Sequence, residues 1–393
     1  MVAEIISLGI LSLPAGIATL GYATGLICQI IVGALGAYTG YLIWKFKMQH
    51  PTIQSFADAG YIMGGRYLEW VFMVAGYLNL VFIAAAHILT FKTAMTHITH
   101  TSLCAILWSV IAVLVSFVLT IKRTSLSQSY VSVLSCLSIT IAIIVVTTAL
   151  ALHPTSHLPS LHPPHHDFPT SFRAILNMVT SFCGHVAFIG FISELRSPAT
   201  FPKALAVTEV AAAVYYCVIA ALVYHFAGDA VASPAINSAP AHWRLAAWCV
   251  AMPTIVVAGV INIHVATKQV YVRYWRGTHV VNQRSVRSYA SWMAMLGGGW
   301  ALAWVLAEAI PDFHHFLAFI SALFNGWFML AIPAMFWFYM HKGAYFRNWK
   351  RVVGFVVNLL ILVIGIMIFV VGMYTSGIAL AHGEGGKPFS CKI

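Results

Sequence analysis

The sequence predicts an all-α protein that crosses a membrane many times. Hydrophobic residues make up 61% of the 393 residues and charged residues only 8%, and the mean hydropathy is +0.87. Because a soluble domain carries about 25% charged residues, this composition excludes an ordinary soluble fold. The chain is instead expected to form one transmembrane domain, residues 1–393, built from spans of about 20 residues each.

Eleven apolar runs are long enough to cross a bilayer as helices. The first five lie within residues 1–152 and the next five within 171–340, with an outer loop at 153–170 and an extra helix at 352–380. The predicted spans are 1–20, 24–44, 68–95, 102–121, 130–152, 172–192, 204–228, 245–272, 289–309, 313–339 and 352–380.

The basic residues lie in short clusters between these runs. This pattern indicates membrane topology rather than nucleic-acid binding, although the net charge is +11. If the first span starts in the cytosol, sixteen of the 21 Lys and Arg residues lie in inner loops, and five, including Lys92 and Arg173, lie outside. Such a bias predicts a cytosolic N-terminus and a non-cytosolic C-terminus. The lipid bilayer is the predicted partner, and the pattern predicts no particular oligomer.

Neither the cysteines nor the histidines form a specific metal-binding pattern. The seven cysteines are scattered singly, so we expect neither a metal site nor a disulfide framework. Histidine-rich tracts bind zinc or nickel, but the outer loop lacks cysteines and a fixed spacing, so we favour a stiff polar loop. Its histidines are His153, His157, His162, His165 and His166.

The first span contains residues that interrupt a helix. Residues 5–14 read IISLGILSLP. Glycine is a poor helix former and Pro14 removes a backbone hydrogen bond, so the segment is predicted to unwind near its middle. Open backbone groups at membrane depth are tolerated where they are buried in protein or line a cavity, and transporters use them to hold charged groups. The interruption therefore indicates a solute site.

A second interruption, SFCGH at residues 181–185, lies in the sixth span. The two interrupted spans are five apart, so they enter the membrane from opposite faces. This spacing is typical of an inverted five-helix repeat with a site between the halves.

Two segments carry a family resemblance. Residues 4–14, EIISLGILSLP, resemble the first-helix motif of the amino acid/auxin permease family, especially its fungal neutral amino acid permeases. Residues 56–60, FADAG, are similar to the intracellular segment after the second helix of those proteins. The resemblance covers nearly the whole chain and is most specific in the first 100 residues, although the cytosolic tail usual in the family is missing. It implies the 5+5 inverted repeat of the bacterial leucine transporter plus one helix, and ion-driven amino acid transport.

The first interruption offers ligands for a substrate carboxylate, because backbone N–H groups at a half-helix start bind anions. Gly9, Ile10 and Leu11 would supply the N–H groups, with Ser7 and Ser12 as hydroxyl candidates. The alternative is a kinked packing helix in which small residues allow close contact.

The second interruption offers carbonyl groups for a substrate ammonium group. These groups belong to Phe182, Cys183, Gly184 and His185. Phe182 and Phe188 could also wall an apolar pocket, although packing is the commoner fate of such rings. In the related fold the third helix supplies a hydroxyl near the substrate carboxylate, which makes Tyr77 a candidate.

Ionisable and polar residues inside spans are candidates for ion coupling or gating. The candidates are Glu4, His185, Asn262, His264 and Asn325. Glu4 lies one turn before the first interruption, and histidine titrates near neutral pH when it is accessible. Glu194 and Glu209 are expected to pair with Arg196 or Lys203 near cytosolic helix ends.

The spans also indicate the substrate and the driving ion. Acidic residues are missing from the centres of spans 1, 3, 6, 8 and 10, so a cationic substrate would lack a counter-charge. Residues 256–264 of the eighth span contain no Ser or Thr for a sodium site. We therefore expect neutral substrates, aliphatic or aromatic, and a proton gradient rather than sodium, without a bound cofactor.

The favoured function is thus secondary transport of neutral amino acids, by proton symport with alternating access, at the plasma membrane rather than the vacuole. A sodium-coupled transporter and an amino-acid-sensing receptor on the same scaffold are the alternatives. A membrane enzyme is disfavoured, because the inner histidines are dispersed instead of forming a cluster. They are His50, His264, His279 and His341.

Overall fold

The computed structural model describes residues 6–99, 103–121, 128–154, 166–281, 285–381 and 387–391, which form helices joined by loops. Within these described residues, nine helices are long and apolar enough to cross a membrane. They coincide with nine of the eleven predicted spans. The remaining two predicted spans correspond to a shorter apolar helix, Ala105–Thr120, and to the first segment, which is divided into short pieces.

The α-helices of the described residues are labelled here in chain order. They are α1 Leu13–Leu20, α2 Tyr22–Gln49, α3 Phe56–Thr99, α4 Ala105–Thr120, α5 Gln128–Leu152, α6 Phe168–Ser181, α7 His185–Glu194, α8 Phe201–Ala227, α9 Ala241–Tyr274, α10 Val286–Ala309, α11 Phe313–Ile320, α12 Ile332–Met340 and α13 Trp349–Ala381. A π-helix, Ser321–Ala331, joins α11 to α12.

The chain forms two compact units. The first consists of Met1–Ala75, Pro154–Ala235 and Leu317–Ile378, and the second of Gly76–His153, Ile236–Phe316 and Ala379–Ile393. Each unit combines segments of both predicted repeats. Spans 1, 2, 6 and 7 share the first unit, whereas spans 4, 5, 8 and 9 and most of span 3 share the second. This grouping is compatible with an inverted repeat, which stays a prediction.

The segment before the third span is a separate short helix. The backbone of α3 leaves helical geometry at Gly64 and Gly65, where φ reaches +69° at Gly65. Asp58 organises the preceding turn by accepting hydrogen bonds from the N–H groups of Gln54 and Ser55, at 2.9 and 3.1 Å. The FADAG segment therefore begins a short helix of its own, ahead of the membrane span.

Two basic residues assigned to the outer side are buried inside helices, which corrects their interpretation as loop charges. Lys92 of α3 forms an ion pair with Glu308 of α10 at 3.1 Å. Arg173 of α6 donates to the carbonyl of Thr375 at 3.3 Å and to the hydroxyl of Thr170 at 3.0 Å. Both cations have polar partners in the interior of the protein. Lys92 and Arg173 therefore cannot be counted as loop charges when the orientation in the membrane is predicted.

The expectation of no disulfide is wrong. Cys104 and Cys391 are bonded, with their Cα atoms 4.4 Å apart, across 287 residues of sequence. The segment that carries Cys391 is held beside α4 and α10, because the N–H of Ala105 donates to the Cys391 carbonyl and that of Phe389 to the Glu308 carbonyl, both at 3.1 Å. The spacing of the cysteines in the sequence could not reveal this disulfide, because Cys104 and Cys391 come together only in the folded chain.

Candidate functional site

The two predicted helix interruptions meet in the first unit. A β-carbon placed on Gly9 would lie 2.7 Å from Oγ and 2.8 Å from Cα of Ser181, the last residue of α6. No side chain larger than hydrogen fits at such distances. Glycine at position 9 therefore allows direct contact between the first segment and the end of α6.

The first interruption consists of a 3-10 helix followed by α1. The 3-10 helix, Leu8–Leu11, is buried, and α1 begins at Leu13. Pro14 lies in the first turn of α1, where its missing N–H costs no hydrogen bond, so it starts a helix rather than kinking one. The prediction of an unwound segment is confirmed, with this different role for the proline.

The serines of this segment differ in their contacts. The hydroxyl and the N–H of Ser12 both donate to the carbonyl of Gly9, at 2.8 and 3.0 Å. A carbonyl oxygen has two lone pairs, so this one is fully used. Ser7 is half-buried and precedes the 3-10 helix without a side-chain capping bond, which leaves its hydroxyl the better candidate for a substrate contact.

The second interruption separates α6 from α7. Phe182, Cys183 and Gly184 lie between the two helices, and Gly184 donates its N–H to the Phe182 carbonyl at 3.2 Å. The hydroxyl of Tyr216 on α8 donates to the Ser181 carbonyl at 3.2 Å. The break predicted at residues 181–185 is therefore present, and part of its carbonyl groups already accept hydrogen bonds.

The two phenylalanines of this region pack within the first unit. Phe182 is fully buried, and its ring meets that of Tyr216 edge-on with centroids 5.1 Å apart. Phe188 is also fully buried and contacts the rings of His185 and Phe201, at 4.7 and 5.7 Å. These contacts account for the burial of both rings by packing.

The helix ends give the interruption its electrostatic character. α1 begins at Leu13 and α6 ends at Ser181, and Gly9, in the 3-10 helix that leads into α1, contacts Ser181. A helix start carries partial positive charge and a helix end partial negative charge, each able to stabilise an opposite charge by about 0.3–1 kcal/mol. The start of α1 and the end of α6 therefore carry opposite partial charges.

Asn325 lies in the π-helix and contacts the end of α6. Its side-chain amide donates to the Thr180 hydroxyl at 3.1 Å, and Thr180 donates to the Leu317 carbonyl at 3.1 Å. π-helical turns occur frequently at functional sites. The coupling or gating candidate Asn325 thus lies in a widened helix and is hydrogen-bonded to Thr180, the residue before Ser181.

Three candidates belong to the second unit. The Tyr77 hydroxyl is 3.3 Å from the position of a β-carbon on Gly299. Asn262 donates from its side-chain amide to the Ala258 carbonyl at 2.8 Å, which leaves its own carbonyl oxygen buried without a partner among the described residues. The His264 ring packs against Trp292 at 5.4 Å. Tyr77 lies in α3, and Asn262 and His264 lie in α9. None of the three belongs to the segments that carry the two interruptions.

Several candidates fall outside the described residues. Glu4 does, and so do His157, His162 and His165 of the outer loop. Within the part of the chain that the structure describes, no three His, Cys, Asp or Glu residues are grouped closely enough to hold a metal ion.

Sequence reasoning assigned Glu209 to an ion pair near a helix end, and the structure differs. Glu209 on α8 is 2% exposed, and in the described structure neither carboxylate oxygen has a hydrogen-bond partner. The expected pairing with Arg196 or Lys203 is therefore wrong for this residue. Its position in the predicted span 204–228 was a usable signal, because acidic residues inside spans are rare and functional.

Several known proteins of similar sequence are named as transport proteins. The chain is 30% identical to the N amino acid transport system protein of Neurospora crassa, over all of this chain and 86% of that protein. It is 22% identical to a transmembrane transporter of Gibberella moniliformis and 21% identical to one of Fusarium pseudograminearum, each over 98% of this chain and 84% of the relative.

A family model extends the same result over most of the sequence. The model of the transmembrane amino acid transporter proteins matches residues 1–378, which include both interruptions and most of the described helices. Transport, rather than catalysis, is the activity that these names indicate. The chain belongs to the transmembrane amino acid transporter family.

Proposed function

We propose that the protein carries neutral amino acids, aliphatic or aromatic, across the plasma membrane by proton symport with alternating access. The observation that supports this best is the contact of Gly9, in the 3-10 helix that leads into α1, with Ser181 at the end of α6. An amino acid carries a carboxylate and an ammonium group on one carbon, and opposite helix ends match that pair of charges.

The composition of the two interruptions supports neutral substrates. Residues 7–12 and 181–185 contain no acidic side chain. A cationic substrate side chain buried there would lack a counter-charge, and an unpaired buried charge costs several kcal/mol. Leucine-like or phenylalanine-like side chains carry no such cost.

Proton coupling rather than sodium coupling is supported by the engagement of oxygen ligands. Both lone pairs of the Gly9 carbonyl accept hydrogen bonds from Ser12. The Thr254 hydroxyl on α9 donates to the Ser135 carbonyl. Because a hard cation needs several free oxygen ligands, these two groups are poor contributors to a sodium site.

The disulfide supports the proposed orientation. With a cytosolic N-terminus, Cys104 and Cys391 both fall on the non-cytosolic side of the predicted spans. Disulfides persist in oxidising compartments and are rare in the cytosol. The bond between these two residues is thus consistent with that topology.

Uptake into proteoliposomes tests the proposal. Purified protein would be given a panel of labelled amino acids, with an imposed proton gradient, sodium gradient or neither. We expect a proton gradient alone to drive accumulation of neutral amino acids. Uptake that collapses when choline replaces sodium at fixed pH would overturn proton coupling. Saturable binding without accumulation under any gradient would favour the receptor alternative.

A further inference from the structure

Glu209 has no partner for its charge. Its side chain lies on α8 inside the first unit, 2% exposed, and both carboxylate oxygens lack a hydrogen-bond donor among the described residues. An ionised carboxylate in such surroundings is far more costly than a neutral one, so buried acids of this kind take up a proton or a cation. The surroundings of Glu209 decide between these two.

The neighbouring titratable group is His185, the first residue of α7. Its Nε2 lies 3.0 Å from the Thr39 hydroxyl and 3.1 Å from the Gly36 carbonyl. A carbonyl only accepts hydrogen bonds, so Nε2 carries the hydrogen and donates it. The other nitrogen, Nδ1, is buried and has no hydrogen-bond partner in the described structure. In the neutral ring that nitrogen is a free proton acceptor.

Gly36 on α2 brings the two groups to one place. A β-carbon on Gly36 would lie 3.6 Å from Oε2 of Glu209 and 3.6 Å from Cε1 of His185, with the methyl group of Met329 at 3.1 Å. The absence of a side chain therefore leaves carboxyl and imidazole facing the same spot on α2. A carboxylate oxygen, the Cε1 edge of the imidazole and an apolar methyl group meet there.

The other described elements around Glu209 place no compensating charge beside its carboxylate. α1 contains no titratable residue, and neither does the π-helix that carries Met329. On α2, Tyr38 accepts a hydrogen bond from Asn358 of α13 at 2.8 Å, so its hydroxyl is engaged elsewhere. On α8 itself, Tyr216 donates to the Ser181 carbonyl. Because sodium and other metal ions need several oxygen ligands, this spot suits a proton better than a metal ion.

We infer that Glu209 is the group that binds and releases the transported proton, with His185 as a positioning residue beside it; this inference rests on the proposed proton symport. On the outer side a hydronium ion gives its proton to a carboxylate oxygen, an O–H bond forms, and the carboxyl becomes neutral. On the inner side water takes the proton and the charge returns. No other bond changes.

Burial links this proton to the conformational change. The neutral carboxyl tolerates the closed surroundings described here, whereas the charged form requires water or a donor. The proton therefore favours conformations in which Glu209 is closed off, and its loss favours those in which water reaches the group. A ligand that binds one state better shifts the population in this way.

The decisive variant is Glu209→Gln, which keeps the shape of a protonated carboxyl and cannot release a proton. The matched control is Glu194→Gln, because Glu194 is exposed at the end of α7. In proteoliposomes with labelled leucine, we expect Glu209→Gln to lose stimulation by an inward proton gradient and to retain exchange of internal for external leucine. Glu194→Gln should behave as the unchanged protein.

Each result has a distinct meaning. If the unchanged protein ignores the proton gradient, the proposed symport itself fails. If it responds and Glu209→Gln responds equally, Glu209 is not the proton carrier. If Glu209→Gln loses sodium-driven uptake, or takes up lysine and arginine less well than the unchanged protein does, the carboxylate holds a cation instead of the transported proton. His185→Gln should shift the pH profile of uptake without abolishing exchange; an unchanged profile would remove His185 from the proposal.

A second measurement covers the case in which Glu209→Gln does not fold. Hydrophobic carbodiimides react with protonated carboxyl groups in apolar surroundings. We expect mass spectrometry of the treated native protein to find the adduct at Glu209, decreasing as the pH is raised. Labelling of other carboxyl groups with none at Glu209 at any pH would overturn the inference.

Discussion

The ammonium group of Lys92 contacts both carboxylate oxygens of Glu308, at 3.2 and 3.1 Å, and the two side chains are 2% and 0% exposed. The pair joins α3 to α10 within the second unit. Two opposite charges buried together largely compensate each other, whereas one alone does not.

We therefore predict that Lys92→Met destabilises the protein by about 3–5 kcal/mol, because Glu308 is left buried without its partner. Replacing both residues with methionine should restore most of the loss. Lys203→Met serves as control, since Lys203 is exposed on α8. The measurement is thermal unfolding in detergent, and equal transition temperatures for Lys92→Met and Lys203→Met would contradict the prediction.

Substitution of Gly9 should block transport. In Gly9→Ala the new methyl group would lie 2.8 Å from Cα of Ser181, a backbone atom that cannot move aside, and Gly9→Val adds more bulk. We expect both variants to insert normally and to show background uptake. Gly190→Ala is the matched control, because a β-carbon there meets nothing within 4 Å. Normal uptake by folded Gly9→Val would refute the role of this contact.

The charge of the substrate side chain should decide competition. Lysine and methionine have side chains of similar length, so comparing them isolates the effect of charge. We predict that methionine inhibits uptake of labelled leucine strongly and that lysine and arginine do so weakly, because the two interruptions contain no acidic side chain. Inhibition constants for the three competitors provide the measurement. Arginine as the best inhibitor would reverse the assignment.

The disulfide provides a test of orientation. In Cys104→Ser, Cys391 becomes a free thiol on the predicted outer side. A membrane-impermeant maleimide added to intact cells should label this variant, and the double variant that also carries Cys391→Ser supplies the background. Additional labelling that occurs only after permeabilisation would place this end of the chain inside the cell.

Local chemistry made the helix interruptions predictable. Glycine weakens a helix and proline lacks the N–H that a helix interior needs, so Gly9, Pro14 and Gly184 marked the short segments ahead of α1 and between α6 and α7. Long apolar runs likewise predicted nine of the spans, because a helix that crosses the bilayer needs about 20 predominantly apolar residues in succession, which local sequence shows.

Contacts between distant residues could not be predicted in this way. Cys104 and Cys391 are separated by 287 residues, and nothing local to either one identifies the other. Glu209 could be placed in a span, but the direction in which α8 turns it depends on tertiary packing. Asn325 was likewise expected only as a polar residue inside a span, and the π-helix around it was not predicted, because its widened backbone depends on neighbours such as Thr180.

The bond between Cys104 and Cys391 also constrains the order of biosynthesis. Cys391 follows every described helix, whereas Cys104 immediately precedes α4. Translation proceeds from the N-terminus, so Cys104 cannot pair with Cys391 until α13 has been made. Only a chain in which every described helix has been synthesised can be oxidised at this pair. The disulfide thereby distinguishes molecules that contain α13 from shorter nascent chains, and a non-reducing gel of newly made protein would separate the two.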